Sequence, residues 1–316
     1  MARSSISQNL VKTALDAVEY DVNFNMGNVP DMASVASPEI FAQVDTPNSA
    51  FIEAPFGGGG YFKLSGEQSS GNYTSRKSGA EKTYTTKDYD QFELIPDNFE
   101  RDSSQHFAVA NILSDMRDAA VASMELYGFE PFRDGFSGAT TYDGVSIFNN
   151  SHTSLAGDTI DNLATGSLSR SVLVTMITQL QQMKSQKGTL GLYRPSCLLV
   201  PPALFDEAVT ITESELKSGT TDNDSNVYYS SKYRIMVKQS PFLGSAVSAS
   251  QGITAGSDTA FFLISDNTPF RRVMSGGFKM DYVPSNVRDD FQALVKAKFR
   301  QLTGATNPSG IVGNAG

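Results

Sequence analysis

The longest run of helical spacing in the chain lies over Asn98–Tyr127. Apolar residues recur there at three- and four-residue steps, which places them on one helical face; they are Val109, Ile112, Leu113, Met116, Ala120, Met124 and Tyr127. Asn98 or Ser103 could cap the start, Gly128 would end the helix, and Pro131 would prevent its resumption. The thirty residues would form a rod of about 45 Å. The pattern therefore predicts a single spine helix.

The N-terminal segment has weaker periodicity. Ser5–Tyr20 carries apolar residues at helical spacing and predicts a short amphipathic helix. Residues 21–48 contain three prolines and few periodic apolar positions, so the sequence predicts an extended arm over residues 1–48. A disordered tail is the alternative. Scattered apolar side chains such as Phe41 favour an arm that docks on another surface.

Glycine and serine punctuate residues 50–94. Strand-like pieces at Tyr61–Leu64 and Lys82–Tyr89 flank a polar, glycine-rich tip, which predicts an extended hairpin loop over residues 49–92. The alternation of apolar and polar residues is weak, so neither face is clearly a core face. A hairpin with two polar faces is marginal alone in water and needs a partner surface. The pattern therefore indicates contact between subunits.

The second half of the chain alternates helices with short apolar strands. The predicted elements are a helix over Ser169–Lys187 stopped by Gly188, a strand over Cys197–Val200, a short helix over Ala203–Val209 and a strand over Phe261–Ser265. This order fits a small α/β unit over about residues 165–267. Its polar, acidic stretch 210–231 is predicted to be a solvated loop.

The C-terminal pattern predicts a sheet. Phe270–Val283 reads as a hairpin that turns at Ser275–Gly277. In Val287–Leu302 a period of two competes with helical spacing, and only Leu294 violates the strand pattern, so a strand is predicted. Basic side chains alternate on one face of this strand: Lys296, Lys298 and Arg300. They form either a solvated face or a contact with an acidic neighbour or with phosphates.

Composition limits the possible functions. The chain has 316 residues, with 25 Lys and Arg against 34 Asp and Glu, so the formal charge is 25 − 34 = −9. A continuous cationic surface for nucleic acid is not expected, although the protein could line a container around nucleic acid. A single cysteine excludes an intramolecular disulfide and no Cys/His cluster indicates zinc. With no apolar run of membrane-spanning length and no secretory signal, a soluble intracellular protein is expected.

Few residues are candidates for catalysis or for binding a ligand or metal. Gly57–Gly60 lacks the Lys and Ser/Thr of a nucleotide-binding loop, so a flexible hairpin element is favoured over a phosphate cradle. Cys197 with His106 or His152 could form a thiol nucleophile and base, but its apolar strand favours a buried, inert thiol. Asp222–Asn226 begins like a calcium loop and then departs from that pattern. No catalytic, cofactor-binding or metal-binding residue is predicted.

Four stretches, in the same order along the chain, resemble major capsid (head) proteins of tailed bacteriophages. They are FNNSHTSLAG (148–157), QLQQMKSQKGTLGLYRPSCLLVPPALFDEA (179–208), AFFLISDNTPFRRVMSGGF (260–278) and VRDDFQALVKAKFRQLTGATNPSG (287–310). Among these proteins, the four stretches resemble most the head subunits of Mu-like phages and prophages. The likeness covers about residues 145–310; before that it rests on the order of arm, glycine-rich hairpin and long helix. Thr153-Ser154-Leu155 departs from the pattern, which usually has Asn before Leu, and the length of the acidic loop 210–231 is unmatched.

The resemblance implies an α+β protein with the Hong Kong 97-type capsid fold. Its expected parts are an N-terminal arm (1–48), an extended loop lying over a neighbouring subunit (49–92), a peripheral domain with the spine helix (93–164 and 268–316) and an axial α/β domain (165–267). It further implies a structural protein, not an enzyme, located in the virion capsid and assembled in the host bacterial cytoplasm.

Such a protein would self-assemble as pentamers and hexamers into an icosahedral head around double-stranded DNA. Contact with the packaged DNA would be weak or non-specific. Scaffolding, portal and decoration proteins are its expected partners; no membrane or cofactor is expected. The alternatives are an encapsulin-type compartment shell, a tail or baseplate component, and a cytosolic thiol hydrolase that uses Cys197.

Overall fold

The computed structural model describes residues 2–24, 31–65, 71–96, 106–215, 225–226, 228, 234–249, 252–284 and 292–316. The helices are α1 (Ala2–Phe24), α2 (His106–Gly128), α3 (Glu130–Arg133), α4 (Arg170–Gln182) and α5 (Phe205–Glu213), with 3₁₀ turns at Pro202–Leu204 and Pro241–Leu243. The strands are β1 (Ala42–Asp45), β2 (Ala50–Glu53), β3 (Phe56–Gly58), β4 (Arg76–Ser78), β5 (Lys82–Thr85), β6 (Lys87–Pro96), β7 (His152–Thr153), β8 (Thr159–Ile160), β9 (Leu163–Ala164), β10 (Pro195–Val200), β11 (Met236–Gln239), β12 (Phe261–Ser265), β13 (Phe270–Met274), β14 (Lys279–Val283), β15 (Gln292–Ala305) and β16 (Ile311–Asn314).

The spine helix is α2, and the buried side of it is the stripe expected from the sequence: Leu113, Met116, Ala120 and Met124. Its 23 residues span about 35 Å; the predicted caps Asn98 and Ser103 lie outside the described residues. The expectation that Pro131 prevents further helix is wrong, since α3 includes it. Proline is tolerated in a first helical turn because its missing N–H would have no partner there.

The N-terminal region packs on its own chain more than the sequence indicated. The predicted short helix is the 23-residue α1, which contacts α2 and β14 and buries Leu15 and Val22. Within residues 31–48, Val35, Ile40 and Phe41 are fully buried. The predicted arm therefore contributes directly to the core, and residues 31–48 are not a disordered tail.

One sheet is organised around β15. Strand β6 pairs antiparallel along one side of it, β13 and β14 pair along the other, and β1 pairs parallel with β13. The period-of-two prediction for this segment is confirmed over Gln292–Ala305, whose alternate residues are buried: Ala293, Val295, Ala297 and Phe299. The predicted Val287 and Phe291 lie outside the described residues.

The predicted hairpin over Phe270–Val283 is wrong. Strands β13 and β14 follow one another along the same edge of β15, where Met274 lies opposite Gln301 and Lys279 lies opposite Lys298. Four residues, 275–278, therefore match two residues of β15, which makes the Ser275–Gly277 turn a bulge. Gly276 and Gly277 adopt positive φ in it, a conformation that glycine tolerates.

The core between this sheet and the helices is rich in phenylalanine. Phe41 of the N-terminal region packs edge-on against Phe129, Phe132 and Phe270 with ring centroids 5.7–5.9 Å apart. Edge-to-face geometry suits the ring quadrupoles. Three distant parts of the sequence thus meet at one aromatic cluster.

A second sheet has the strand order β11-β10-β12-β16-β9. The predicted strands at Cys197–Val200 and Phe261–Ser265 are its central members, and α4 and α5 pack on it. Helix α4 buries its predicted stripe but ends at Gln182, five residues before the predicted Lys187, and Ser169 caps its start. Strands β9 and β16 extend the sheet beyond residues 165–267.

Candidate functional site

The extended hairpin exists, with a different pairing from the predicted one. Strand β2 pairs with β5 and β3 pairs with β4, so both flanks are antiparallel ladders. The predicted strand over Tyr61–Leu64 is wrong: these residues have no regular structure and lie beyond β3. The predicted strand over Lys82–Tyr89 is divided at Thr86 between β5 and β6. Residues 66–70 lie outside the described part.

A buried polar relay fixes the root of this loop. The Tyr84 hydroxyl lies 2.5 Å from Thr306 Oγ1, and the Thr306 hydroxyl donates to Glu53 Oε2 at 2.6 Å. Arg271 donates to the other Glu53 oxygen at 3.2 Å. Burial raises the pKa of Tyr84, which keeps its hydroxyl available as a donor. The relay joins β2 and β5 to β13 and to the residues after β15, so it holds the root of the loop against the sheet.

The glycine run Gly57–Gly60 docks the loop on its own chain through hydrogen bonds. The Gly58 N–H donates to the Gln186 carbonyl at 3.3 Å and the Gly60 N–H donates to the Lys187 carbonyl at 3.2 Å. Tyr61 Oη accepts from the Leu190 N–H at 2.9 Å. Since carbonyls already occupy two of its amides, the run is a docking element and not a phosphate cradle. The sequence favoured a flexible hairpin element here, whereas two amides of the run are hydrogen-bonded within the chain.

In addition to these hydrogen bonds, the loop has exposed apolar side chains. The exposed large apolar residues in and around it are Ile52, Phe56, Tyr61, Phe62, Leu64 and Tyr73. Nearby, Leu192 is also exposed and adopts φ +53, a conformation that costs a non-glycine residue about 1–2 kcal/mol. Several large apolar side chains exposed in one segment indicate an interaction surface. The loop is therefore the candidate assembly surface.

The FNNSHTSLAG element is structural. His152 is fully buried, with Nδ1 2.8 Å from Asp143 Oδ2 and Nε2 3.1 Å from the Ile147 carbonyl oxygen. The buried Asn162 amide donates to the carbonyls of Ile147 and Pro308 at 2.7 and 3.1 Å. The element thus fixes the turn-rich chain after α3 against the C-terminal segment. Sequence reasoning identified the histidine but not these partners.

Among the described side chains no histidine base lies beside the only thiol, Cys197. Cys197 is fully buried in β10, and burial raises the pKa of its thiol to about 12. Both ring nitrogens of His152 are engaged elsewhere, and the His106 side chain lies outside the described part. The calcium-like stretch begins at Asp222, which also lies outside it. Among the described residues no three His, Cys, Asp or Glu side chains group as metal ligands, and no described helix is long and apolar enough to cross a membrane.

The basic face of β15 is partly neutralised within the chain. Arg300 forms an ion pair with Asp88 of β6, while Lys298 lies opposite Asp90 and Lys296 lies opposite Asp281. The solvated-face interpretation accounts for these pairs. The structure provides no separate support for a phosphate contact here.

Two buried arginines join distant segments, and no sequence pattern predicted either of them. Arg133 donates to the carbonyl oxygens of Leu126, Phe242 and Thr254 at 2.6, 2.7 and 3.0 Å. Arg272 donates to Gln301 Oε1 at 3.3 Å, and burial lowers its pKa to about 10 against the opposing charge of Glu125. Both depend on tertiary contacts between segments more than a hundred residues apart, which local pattern cannot reveal.

The buried Glu125 completes the second of these clusters. It accepts hydrogen bonds from the Ser34 hydroxyl and from the Val35 N–H, the latter at 3.0 Å. Burial raises the pKa of this carboxyl, and the two hydrogen bonds and Arg272 oppose that rise. The N-terminal region is thereby fastened to the end of the spine helix.

No protein-family model matches the sequence, and no curated protein matches it. Solved structures do match. The mature capsid of bacteriophage PhiM1 is 9% identical with a TM-score of 0.55, covering 92% of this chain and 88% of that chain. The capsid of cyanophage P-SCSP1u is 12% identical with a TM-score of 0.55, covering 91% and 89%. A virus-like particle from Pyrococcus furiosus is 8% identical with a TM-score of 0.50, covering 96% of both chains.

These similarities extend over nearly the whole of each chain, although the sequence identity is low. They establish the fold: an α+β chain with the Hong Kong 97-type capsid fold. The fold implied by the sequence resemblance is therefore confirmed. The Mu-like subtype stays a prediction.

Proposed function

We propose that this protein is the major capsid protein of a tailed bacteriophage, a structural protein and not an enzyme. The observation that carries the proposal is the match to phage capsid subunits over about nine tenths of both chains. The exposed apolar loop supports it, because such a surface gains stability only when a neighbouring subunit covers it. Of the head types, the Mu-like subunit is the one whose sequence elements this chain resembles.

The proposal keeps the predicted division of the chain: an N-terminal arm (1–48), an extended loop (49–92), a peripheral domain (93–164 and 268–316) and an axial domain (165–267), whose sheet also takes in β9 and β16. The loop lies over a neighbouring subunit. The relay from Tyr84 to Arg271 holds its root, while the glycines of the loop allow the angles that pentamers and hexamers require. Two different patches meet at each contact, and such heterologous interfaces close into rings and shells.

The assembled head is icosahedral and encloses double-stranded DNA by weak or non-specific contact. The net charge of −9 agrees with that weakness, since a shell lining need not bind DNA tightly. A scaffolding protein, a portal and decoration proteins are the further partners of the proposal. The protein then resides in the virion capsid after assembly in the host bacterial cytoplasm.

Electron microscopy with sedimentation tests this function. The purified chain should form closed particles tens of nanometres across, alone or co-expressed with a candidate phage scaffolding protein. Deletion of Gly57–Gly79 removes the β3–β4 pair and leaves β2 paired with β5. The deleted variant should fold and stay soluble but close no shells. Normal shells from the deletion, or a wild-type chain that stays monomeric with scaffold present, would contradict the proposal.

A second candidate is an encapsulin-like compartment shell, favoured by the similarity to the virus-like particle from Pyrococcus furiosus. Both candidates predict closed particles, so the contents discriminate between them. Nuclease-protected DNA in particles from phage-producing cells supports the phage head; a protein cargo in their place supports the compartment. The thiol hydrolase has no such observation in its favour.

A further inference from the structure

The turn that precedes β10 exposes a leucine in an unfavourable backbone conformation. Leu192 has 85% of its surface exposed and adopts φ +53, in the left-handed region that non-glycine residues rarely occupy. Among the described residues the other non-glycine residue with positive φ is Asp31, and aspartate tolerates this region better than leucine does. Strained backbone persists only where the surrounding structure imposes it, and it is concentrated at functional positions.

Contacts on both sides of Leu192 impose this conformation. Before it, a Cβ at Gly191 would lie 1.9 Å from the ring of Tyr193, which is itself buried. After it, the Arg194 carbonyl accepts a hydrogen bond from the Asp266 N–H at 3.0 Å. The turn is therefore attached to the second sheet, and its backbone fixes the point at which the leucine side chain enters solvent.

A small apolar pocket opens elsewhere on the same sheet. The buried rings of Phe132 and Phe262 line it, and the exposed residues Ala255 and Ala315 line its solvent-facing mouth. Arg133 also lines the pocket, but each of its three side-chain nitrogens already donates to a backbone carbonyl. The pocket is therefore suited to an apolar occupant.

The volume of the pocket indicates which side chain fits. An apolar cavity of about 150 Å³ accommodates benzene. This pocket has a volume of about 90 Å³, so it has room for a branched aliphatic side chain but not for an exposed aromatic ring such as that of Phe62. Among the described residues, Leu64 and Leu192 are the most exposed aliphatic residues. Leu64 lies in a segment without regular structure, whereas Leu192 is held in position by its turn.

A chain cannot place its own leucine in this pocket. At one end of β12, Ser265 lies opposite Pro195. At the other end, Phe261 lies opposite Asn314. These two ends are four residues apart, about 13 Å. Leu192 lies beyond the first end, and the pocket, which includes the residue after Asn314, lies at the second. Opposite ends of one sheet can meet only between two copies.

The charges at the two ends are complementary. Arg194, close to the exposed leucine, is exposed, and its guanidinium has no ion pair among the described residues; the Asp266 carboxylate faces its backbone N–H. At the other end, Asp258 is exposed and follows the pocket residue Ser257. Hydrogen bonds from Ser245 lower the pKa of the Asp258 carboxyl, so it is negatively charged at neutral pH. Opposite charges beside an apolar contact favour one orientation of the partners.

We propose that Leu192 of one copy of this chain inserts into the pocket of a second copy. At the rim, Arg194 of the first copy then faces Asp258 of the second. The inference rests on the proposed shell function and identifies one contact that joins neighbouring subunits. Because the leucine and the pocket are different surfaces, the contact is heterologous and each subunit uses both. Removal of the exposed leucine from water favours assembly.

Cysteine cross-linking in assembled particles tests this contact. Leu192→Cys is combined with Ala255→Cys, and the particles are oxidised and analysed on non-reducing gels. A head-to-tail contact should give a ladder of dimers, trimers and longer chains. The only native thiol, Cys197, is buried and gives a low background. The matched controls are each single variant and Leu192→Cys with Thr175→Cys at an exposed position of α4, which should give no ladder.

Replacement of the leucine distinguishes a contact residue from a residue that is merely tolerated in a turn. Leu192→Gly removes the backbone strain, so the isolated subunit should keep or raise its thermal midpoint. The yield of closed particles should nevertheless fall about tenfold or more, because every such contact loses its buried leucine. Leu192→Met keeps an apolar side chain of similar volume and should retain most of the yield. Ala255→Phe, which blocks the mouth of the pocket, should lower the yield as Leu192→Gly does, and the double variant should lower it little further.

Two results overturn the inference: closed particles of the double cysteine variant that give no ladder, or Leu192→Gly particles formed at the wild-type yield. Closed particles still form in both cases, so the shell function stands. A wild-type chain that forms no closed particles, even with scaffold present, overturns the shell function and the inference with it.

Discussion

The Nδ1 atom of the fully buried His152 lies 2.8 Å from the Asp143 carboxylate. The same carboxylate accepts from the Thr141 hydroxyl at 2.5 Å and from the Val145 N–H at 3.1 Å. Burial alone would raise the pKa of Asp143, but these hydrogen bonds and the histidine outweigh it and lower the pKa to about 2. The turn after α3 is therefore held by an ionised carboxylate.

This arrangement predicts acid sensitivity of the isolated subunit. Because the folded pKa is depressed from 3.8, Asp143 stabilises the fold fully above about pH 4, and that contribution is lost as the pH falls toward 2. In urea titrations, wild type should lose about 1–2 kcal/mol more unfolding free energy between pH 5 and 2.5 than Asp143→Asn. The control Asp115→Asn, at an exposed position of α2, should behave like wild type. Equal pH dependence of wild type and Asp143→Asn would contradict the assignment.

Arg133 should be among the most sensitive charged residues in the chain. Its guanidinium satisfies three carbonyls from separate segments, so Arg133→Met leaves buried acceptors without donors. The expected loss is about 3 kcal/mol of unfolding free energy, measured by urea denaturation. Arg133→Lys should lose less, because its ammonium can still donate. The control Arg117→Met removes a surface ion pair with Asp21 and should cost less than about 1 kcal/mol. Equal losses of unfolding free energy for Arg133→Met and Arg117→Met would contradict the view that Arg133 holds three segments together.

Gly128 allows the N-terminal region to contact the end of the spine helix. A Cβ at this position would lie 2.0 Å from Val35 Cγ1. Gly128→Ala should therefore destabilise the subunit by about 1–3 kcal/mol, seen as a lower thermal midpoint. Val35→Ala removes the clashing methyl groups, so the double variant should lose less than the sum of the two single variants. Additive losses would indicate that the two residues do not touch.

The sequence predicted those parts of the fold in which periodicity alone determines the element. The stripe of α4 and the alternation of β15 are such cases, because each apolar position follows from the local geometry. The resemblance to capsid proteins supplied the fold that connects them. The fold was thus predictable from sequence motifs together with local pattern.

The predictions from sequence were wrong where a contact between residues far apart in the chain determines the structure. Residues such as Val35 and Phe41 looked like part of an exposed arm because their partners, Gly128 and Phe129, are about ninety residues away. Ser275–Gly277 has the composition of a hairpin turn, and only the register along β15 distinguishes a turn from a bulge. For the same reason the sequence did not predict that β6 pairs with β15 alone among the described strands. Strand pairing is a property of the sheet and not of the strand.

Cys197 separates the structural function from the enzymatic alternative. The thiol is fully buried, and its pKa of about 12 leaves almost no thiolate at neutral pH. A thiol reagent such as Ellman's reagent should therefore modify the native protein more than a hundredfold more slowly than the urea-unfolded chain. The replacement Cys197→Ala should leave particle formation unchanged and cost about 1–2 kcal/mol of stability from the lost packing. Rapid labelling of the native protein together with a hydrolase activity that Cys197→Ala abolishes would support the alternative. Slow labelling with intact particles would leave the thiol a packing group in the centre of the second sheet.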